Sequence, residues 1–235
     1  MQKISILTPT YNRNKFLELY IENIKKQTYP KHLLKVYILD DGEEAFINDL
    51  EKVKEELKPI EINYINCKAK KERLTIGAKR NKLVKLADTK IVCFMDDDDI
   101  YQNQYIEYSY NQLKLNKVSL VGSNQMLFTY PHHNYEMTGL NCGDNKQMIH
   151  EATMMMTKKY FRCMGGFNNS SQGEGVNIIL NQDKNILNLD INNLMICVCH
   201  NNNTIDKERF LNNKLYLIYD GERLPILKKI FNAPQ

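Results

Sequence analysis

Short apolar runs alternating with helix-patterned stretches restrict what the first half of this chain can fold into. Ile4 to Thr8, Val36 to Leu39, Ile60 to Ile65 and Lys90 to Met95 read as strands. Between them, Lys15 to Lys26 carries Phe16, Leu19, Tyr20 and Ile24 at helical spacing. Ala45 to Leu57 reads as an amphipathic helix with a solvated Glu/Lys face, and Ile76 to Ala87 as a helix with Leu83, Val84 and Leu86 inward. This βαβαβαβ order predicts an α/β fold in which helices flank a mostly parallel central sheet. Ligands of such sheets bind beyond the carboxyl ends of the strands. Three of those ends carry distinctive residues: Thr8-Pro9-Thr10-Tyr11, Asp40-Asp41-Gly42 and Asp96-Asp97-Asp98-Asp99. Loops at one edge of one sheet converge, so a site is expected there.

The aspartate run carries the most chemistry. Four adjacent carboxylates repel one another, and oxygen-rich sites suit hard ions such as Mg²⁺ or Mn²⁺. Such ions take one or two protein carboxylates and complete their shells with water and substrate phosphates. The plainer alternative is an acidic turn capping a helix that begins near Tyr101. A cap needs only one Asp.

Bulk properties narrow the class. The net charge of +4 over 235 residues gives no reason to expect nucleic acid, and 43% hydrophobic with 26% charged residues is ordinary for a soluble globular protein. No apolar stretch is long enough to span a bilayer. Met1-Gln2-Lys3-Ile4 enters a strand pattern with no signal-peptide layout, which predicts a cytoplasmic protein without a transmembrane segment. The six cysteines read as reduced core thiols. Cys197-Val-Cys199-His200 has zinc-ligand residue types but no second matching pair. The densest basic cluster is Lys68, Lys70, Lys71 and Arg73, which reads either as a solvated loop or as a face for phosphate.

The second half is less regular. Val118 to Tyr130 reads as one or two strands broken at Gly122-Ser123-Asn124, Pro131 to Asn145 as a polar loop, and Ala152 to Thr157 as a strand. A short helix to Met164, a helix over Val176 to Leu187, a strand from Leu194 to Cys199 and a peripheral tail after Asp220 complete it. With no repeats and no linker, a single domain is expected.

Five segments occur in a telling order: Ile4-Ser-Ile-Leu-Thr-Pro-Thr-Tyr-Asn-Arg13, Gln27-Thr-Tyr-Pro30, Val36-Tyr-Ile-Leu-Asp-Asp-Gly42, Gly77-Ala-Lys-Arg-Asn81 and Phe94-Met-Asp-Asp-Asp-Asp-Ile-Tyr101. Together with Gly165-Gly166-Phe167 and the following Gly173-Glu174, they resemble family 2 glycosyltransferases of the GT-A fold. The resemblance spans roughly residues 3 to 200. It implies one GT-A domain, with residues 1–100 binding a nucleotide sugar, 101–220 facing the acceptor and 221–235 peripheral.

The resemblance also implies roles. Pro9, Thr10, Tyr11 and Arg13 match the donor loop, with Tyr11 against the nucleobase. Asp41, or its neighbour Asp40, matches the acid that hydrogen-bonds uracil or ribose. Arg80 matches a basic residue near the diphosphate. In the Asp-x-Asp metal motif, Asp98 is the direct ligand and Asp96 binds ribose, or the metal through water. Asp97 stays a candidate by one position, and Asp99 is left as a helix cap. His200 matches a further metal ligand, and His150-Glu151 is a weaker match to a segment facing the diphosphate.

The implied reaction is transfer from a nucleotide sugar, most often a UDP-sugar, to a hydroxyl on a glycan, lipid or protein. The cofactor is Mn²⁺ or Mg²⁺, and a single displacement inverts the anomeric carbon. The base segment departs from the common Glu-Asp. It reads Gln172-Gly173-Glu174-Gly175, so Glu174 is the expected base, with Asp183 as the substitute. Two rivals remain: a nucleotide-sugar binder that has lost its base, and a sugar-1-phosphate nucleotidyltransferase. The second lacks its Gly-rich phosphate loop.

Overall fold

The computed structural model describes residues 1–67 and 73–232. Lys68, Lys70 and Lys71 of the basic cluster and residues 233–235 of the expected tail lie outside the described residues.

In chain order the elements are β1 (Ile4–Thr10), α1 (Leu17–Lys25), β2 (Leu34–Asp40), α2 (Leu50–Glu56), β3 (Glu61–Asn66), α3 (Ile76–Leu86) and β4 (Ile91–Phe94). β5 (Ile100–Tyr101), α4 (Tyr105–Leu115), β6 (Leu120–Gly122), β7 (Gln125–Tyr130), β8 (Glu136–Asn141), β9 (Met155–Thr157) and α5 (Lys158–Cys163) follow. The last are α6 (Val176–Ile179), β10 (Ile186–Asn188), β11 (Met195–Val198), β12 (Lys214–Ile218) and α7 (Leu224–Asn232).

A seven-stranded sheet runs β10-β6-β9-β4-β1-β2-β3. Only β9 is antiparallel to its neighbours, so the sheet is mostly parallel as expected. β1 lies inside it and is buried on both faces, which is why its sequence is a continuous apolar run. Ile4 and Ile6 enter one core with Tyr20, Ile24 and Phe46; Leu7 enters the other with Leu83, Val84 and Phe94. Pairing with β4 ends at Leu7, whereas pairing with β2 runs to Thr10. Pro9, which has no N–H to donate, therefore stands where β1 has one neighbour only. A second sheet runs β12-β8-β7-β11-β5. Its apolar residues Val198 and Ile100 meet α7 in a third core with Phe16, Tyr219 and Leu227.

Several boundaries differ from the sequence expectation. The helix expected over Ala45 to Leu57 begins at Leu50, capped by Asp49. Asp40 Oδ2 takes the Phe46 N–H at 2.8 Å and holds that stretch as a loop with Phe46 buried. Nor does a helix begin near Tyr101. Residues 100–101 pair antiparallel with β11, and α4 starts at Tyr105. The loop expected over Pro131 to Asn145 contains β8, a strand with only Met137 and Leu140 as large apolar residues, held by β7 and β12 on either side. The helix expected over Val176 to Leu187 stops at Ile179, because Asn181 turns into the left-handed region (φ 59°) and the chain is then captured by β6 as β10.

Candidate active site

One cleft lies at the carboxyl edge of the large sheet. It encloses about 190 Å³ and opens to solvent. Pro9, Thr10, Tyr11, Arg13, Arg80, Asp96, Asp97, Asp98 and Glu174 all line it, so most of the residues singled out in the sequence are brought together.

The floor is organised around Arg80. α3 begins at Thr75, whose hydroxyl caps the Ala78 N–H, and turns Lys79 and Arg80 inward. The Arg80 guanidinium is stacked 4.7 Å from the Phe94 ring centre. It meets Asp96 through Nη2 at 3.3 Å and Glu174 through Nε at 3.2 Å. Arg80 therefore joins the first aspartate of the run to the expected base. Glu174 reaches this point because the 168–174 loop docks on the start of α3. Gly77 N–H donates to Ser170 O at 2.8 Å, and a Cβ on Gly77 would lie 1.8 Å from Asn168 O. Burial raises the Glu174 pKa; Arg80 opposes this and the charge of Glu151 adds to it.

The four aspartates divide by environment. Asp97 is buried and its Oδ2 has no hydrogen-bond partner. Burial and then Asp98 push its pKa up. Burial also disfavours a charge on Asp98, but the His200 hydrogen bond and Arg13 outweigh it and hold Asp98 below the usual carboxylate range. Arg13 Nη2 lies 3.3 Å from Asp98 Oδ2, and the same nitrogen donates to Asn202 O. His200 Nδ1 accepts the Asn202 N–H at 3.2 Å, and its Nε2 lies 3.0 Å from Asp98 Oδ2 and 3.1 Å from Asn203 Nδ2. Burial lowers the pKa of this imidazole, against the pull of Asp98.

Asp99 is not a helix cap. Its Oδ1 accepts Val198 N–H at 2.9 Å and its Oδ2 the Cys197 thiol at 3.6 Å, so it ties the run to β11. Burial carries its pKa up to about 7, against the pull of Lys207.

Some expected residues stand behind the cleft. Asp40 is fully buried and occupied by the Gly42 and Phe46 N–H groups and the Tyr64 hydroxyl. Asp41 accepts Leu74 N–H at 2.7 Å and pairs with Lys79. His200 does not line the cleft and meets it through Asp98 and Asn203. Asp183 sits on a turn outside it.

Three cations on the cleft wall were not singled out individually by the sequence. Arg73 lies 3.9 Å above the Tyr11 ring, on a ring expected to meet a base. Lys79 bridges Asp41 and Thr10 O. Lys207 lines the cleft beside Asp98 and Asp99, which keep it charged despite burial. The clue to Arg73 was its basic cluster; Lys207 had none beyond closeness to His200.

Among the described residues, no group of three or more His, Cys, Asp or Glu is arranged to enclose a metal ion. Asp98 and His200 do form an adjacent pair, and Asp97, next in the chain, carries a buried oxygen without a partner. That suits an ion such as Mn²⁺ or Mg²⁺, which takes few protein ligands and fills its shell from phosphate and water.

The family model described as Glycosyl transferase family 2 matches residues 5–167. The chain belongs to that family. Among curated family relatives, the glycosyltransferase AglE of Haloferax volcanii is 28% identical over 130 residues, covering 54% of this chain and 40% of that protein. The poly(ribitol-phosphate) β-N-acetylglucosaminyltransferase TarS of Staphylococcus aureus is 27% identical over 111 residues, 46% of this chain and 18% of that protein. The chain thus matches less than half the length of either relative. Solved structures agree on a GT-A fold. S. aureus TarS residues 1–349 in complex with UDP-GlcNAc has a TM-score of 0.65 at 16% identity, covering 86% of this chain and 60% of that one. The mannosyltransferase PcManGT of Pyrobaculum calidifontis, in complex with GDP-Man and Mn²⁺, has a TM-score of 0.58 at 16% identity, covering 88% and 58%. At these identities the likeness concerns the fold. Among the described residues, no helix is long and apolar enough to cross a membrane.

Proposed function

We propose that this family 2 glycosyltransferase moves a sugar from a UDP-sugar to a hydroxyl of a glycan, lipid or protein with inversion, using Mn²⁺ or Mg²⁺. The observation that carries the proposal is the Asp96–Arg80–Glu174 chain of ion pairs, which couples the aspartate run to Glu174 within one cleft. The TarS structure solved with UDP-GlcNAc supports a UDP-sugar donor. Tyr11, Thr10 and Pro9 hold the base and ribose, together with Asp41 behind them. Arg13, Arg80 and Asp96 face the diphosphate. Asp98 and His200 would hold the divalent ion, which when bound offsets negative charge on the departing diphosphate.

The acceptor oxygen attacks the anomeric carbon from the face opposite the diphosphate. The bond to the phosphate oxygen breaks with its electron pair, and Glu174 takes the hydroxyl proton. A buried, raised-pKa carboxylate is a stronger base than an exposed one once it is ionised. The Arg80 contact favours its ionised form, against burial, and aims it before the acceptor arrives.

UDP release from a panel of UDP-sugars, with Mn²⁺, Mg²⁺ or EDTA, tests this. The expected result is metal-dependent release from one donor, lost in Asp98→Ala. Tight donor binding without turnover in the presence of any acceptor would identify a binding protein instead, and no binding of any nucleotide sugar would remove the proposal.

A further inference from the structure

Glu151 is a second carboxylate on the wall of the cleft, half-buried in the turn that precedes β9. Its Oε1 accepts the Gly175 N–H at 2.9 Å, and Gly175 immediately follows Glu174. The fit is tight. A Cβ on Gly175 would lie 2.8 Å from Glu151 Oε1 and 2.9 Å from its Cγ, so the glycine is what lets the two segments approach. The same turn is closed from its other side by Asn168 N–H donating to the Glu174 carbonyl at 2.8 Å. Glu174 is thus clamped: Arg80 holds its carboxylate, Asn168 its carbonyl, and Glu151 the peptide that follows it.

We infer that Glu151 is a positioning residue, which fixes the Glu174 turn through the Gly175 amide and keeps a negative charge beside the proposed base. It touches neither donor nor acceptor in this role. The inference rests on the reading of Glu174 as the base. The charged groups facing Glu174 are Arg80 from α3, Glu151 from the turn before β9 and, across Arg80, Asp96. Arg80 favours the ionised base, and Glu151 opposes it. Removing the Glu151 charge while keeping its acceptor oxygen therefore makes Glu174 ionise at lower pH. Removing the whole side chain frees the Gly175 amide and lets the base wander. A displacement of about 1 Å costs roughly 100-fold in rate.

Two variants and two readouts test this. Amide hydrogen exchange at Gly175, followed by NMR, needs no turnover. It is expected to stay slow in Glu151→Gln and to accelerate in Glu151→Ala. In kinetics, Glu151→Gln is expected to keep near-native kcat with the acid limb of its pH profile moved to lower pH. Glu151→Ala is expected to lose about 100-fold in kcat with donor KM unchanged. Unchanged Gly175 protection in Glu151→Ala overturns the inference. So does a Glu151→Gln variant as inactive as Glu174→Gln, because Glu151 would then be the base itself. If the wild-type protein turns over no donor, the function proposal fails, and the Gly175 amide still decides whether Glu151 holds the turn.

Discussion

Arg80 is almost fully buried and faces two carboxylates, and both must stay paired. Truncating one partner of a buried ion pair leaves an uncompensated charge, which costs on the order of 3–5 kcal/mol. Arg80→Met is therefore expected to lower unfolding stability by about that much in urea titrations, and to abolish transfer. A loss under about 1 kcal/mol would mean that water reaches these carboxylates. At Glu174 the pKa is raised above the ordinary 4.5, chiefly by burial. An acid limb of kcat/KM above that value is the expected signature, since protonation removes the base as the pH falls. Glu174→Gln is expected to lose ~100- to 10,000-fold in kcat while still binding UDP by calorimetry, the range for a missing general base.

At the scale of elements, the site depends on one docking event: the 168–174 loop against the N-terminal turn of α3. Ser170 O, Ser171 Oγ and Asn169 Oδ1 take the Gly77 and Ile76 N–H groups and the Thr75 hydroxyl. Gly77 is required by space, because a Cβ there would overlap the Asn168 carbonyl. Gly77→Ala is expected to lower Tm and reduce kcat together, since the loop that lifts off carries Glu174. A variant with native Tm and native kcat would show that the loop closes without this contact. Alanine would otherwise favour the helix by about 1 kcal/mol, so a loss would report on docking alone.

For the whole molecule, His150 makes one contribution to the pH dependence of stability, opposite in sign to that of Asp99, whose raised pKa favours the fold as the pH falls below about 7. Burial, with Lys207 and Arg80, lowers the His150 pKa from 6.5 to about 4. The unfolded chain takes up this proton first. The stabilisation is complete above the unfolded value and is lost as the pH falls from 6.5 towards 4. It amounts to on the order of 1–3 kcal/mol after allowing for partial exposure. His150→Asn is expected to remove that loss across the same window in urea titrations at a series of pH values. An unchanged slope would assign the acid loss to other groups.

Local sequence was enough to read the strand and helix order of the first half, the three loops at one sheet edge and most of the cleft-lining residues. Apolar spacing sets each of those elements, and Thr, Pro, Asp and Gly mark the turns between them. Long-range packing settled how the same residues are used. Asp40 turns inward to hold Phe46, and Asp99 ties the aspartate run to β11 instead of capping a helix. Lys207 enters the cleft from a distant loop, and weakly patterned segments become β8 and β10 because existing strand edges capture them. Arg80 and Glu174 are 94 residues apart, and Asp98 and His200 are 102 apart. Charge pairing across such separations depends on which surfaces meet when the sheet closes, and no local spacing encodes that.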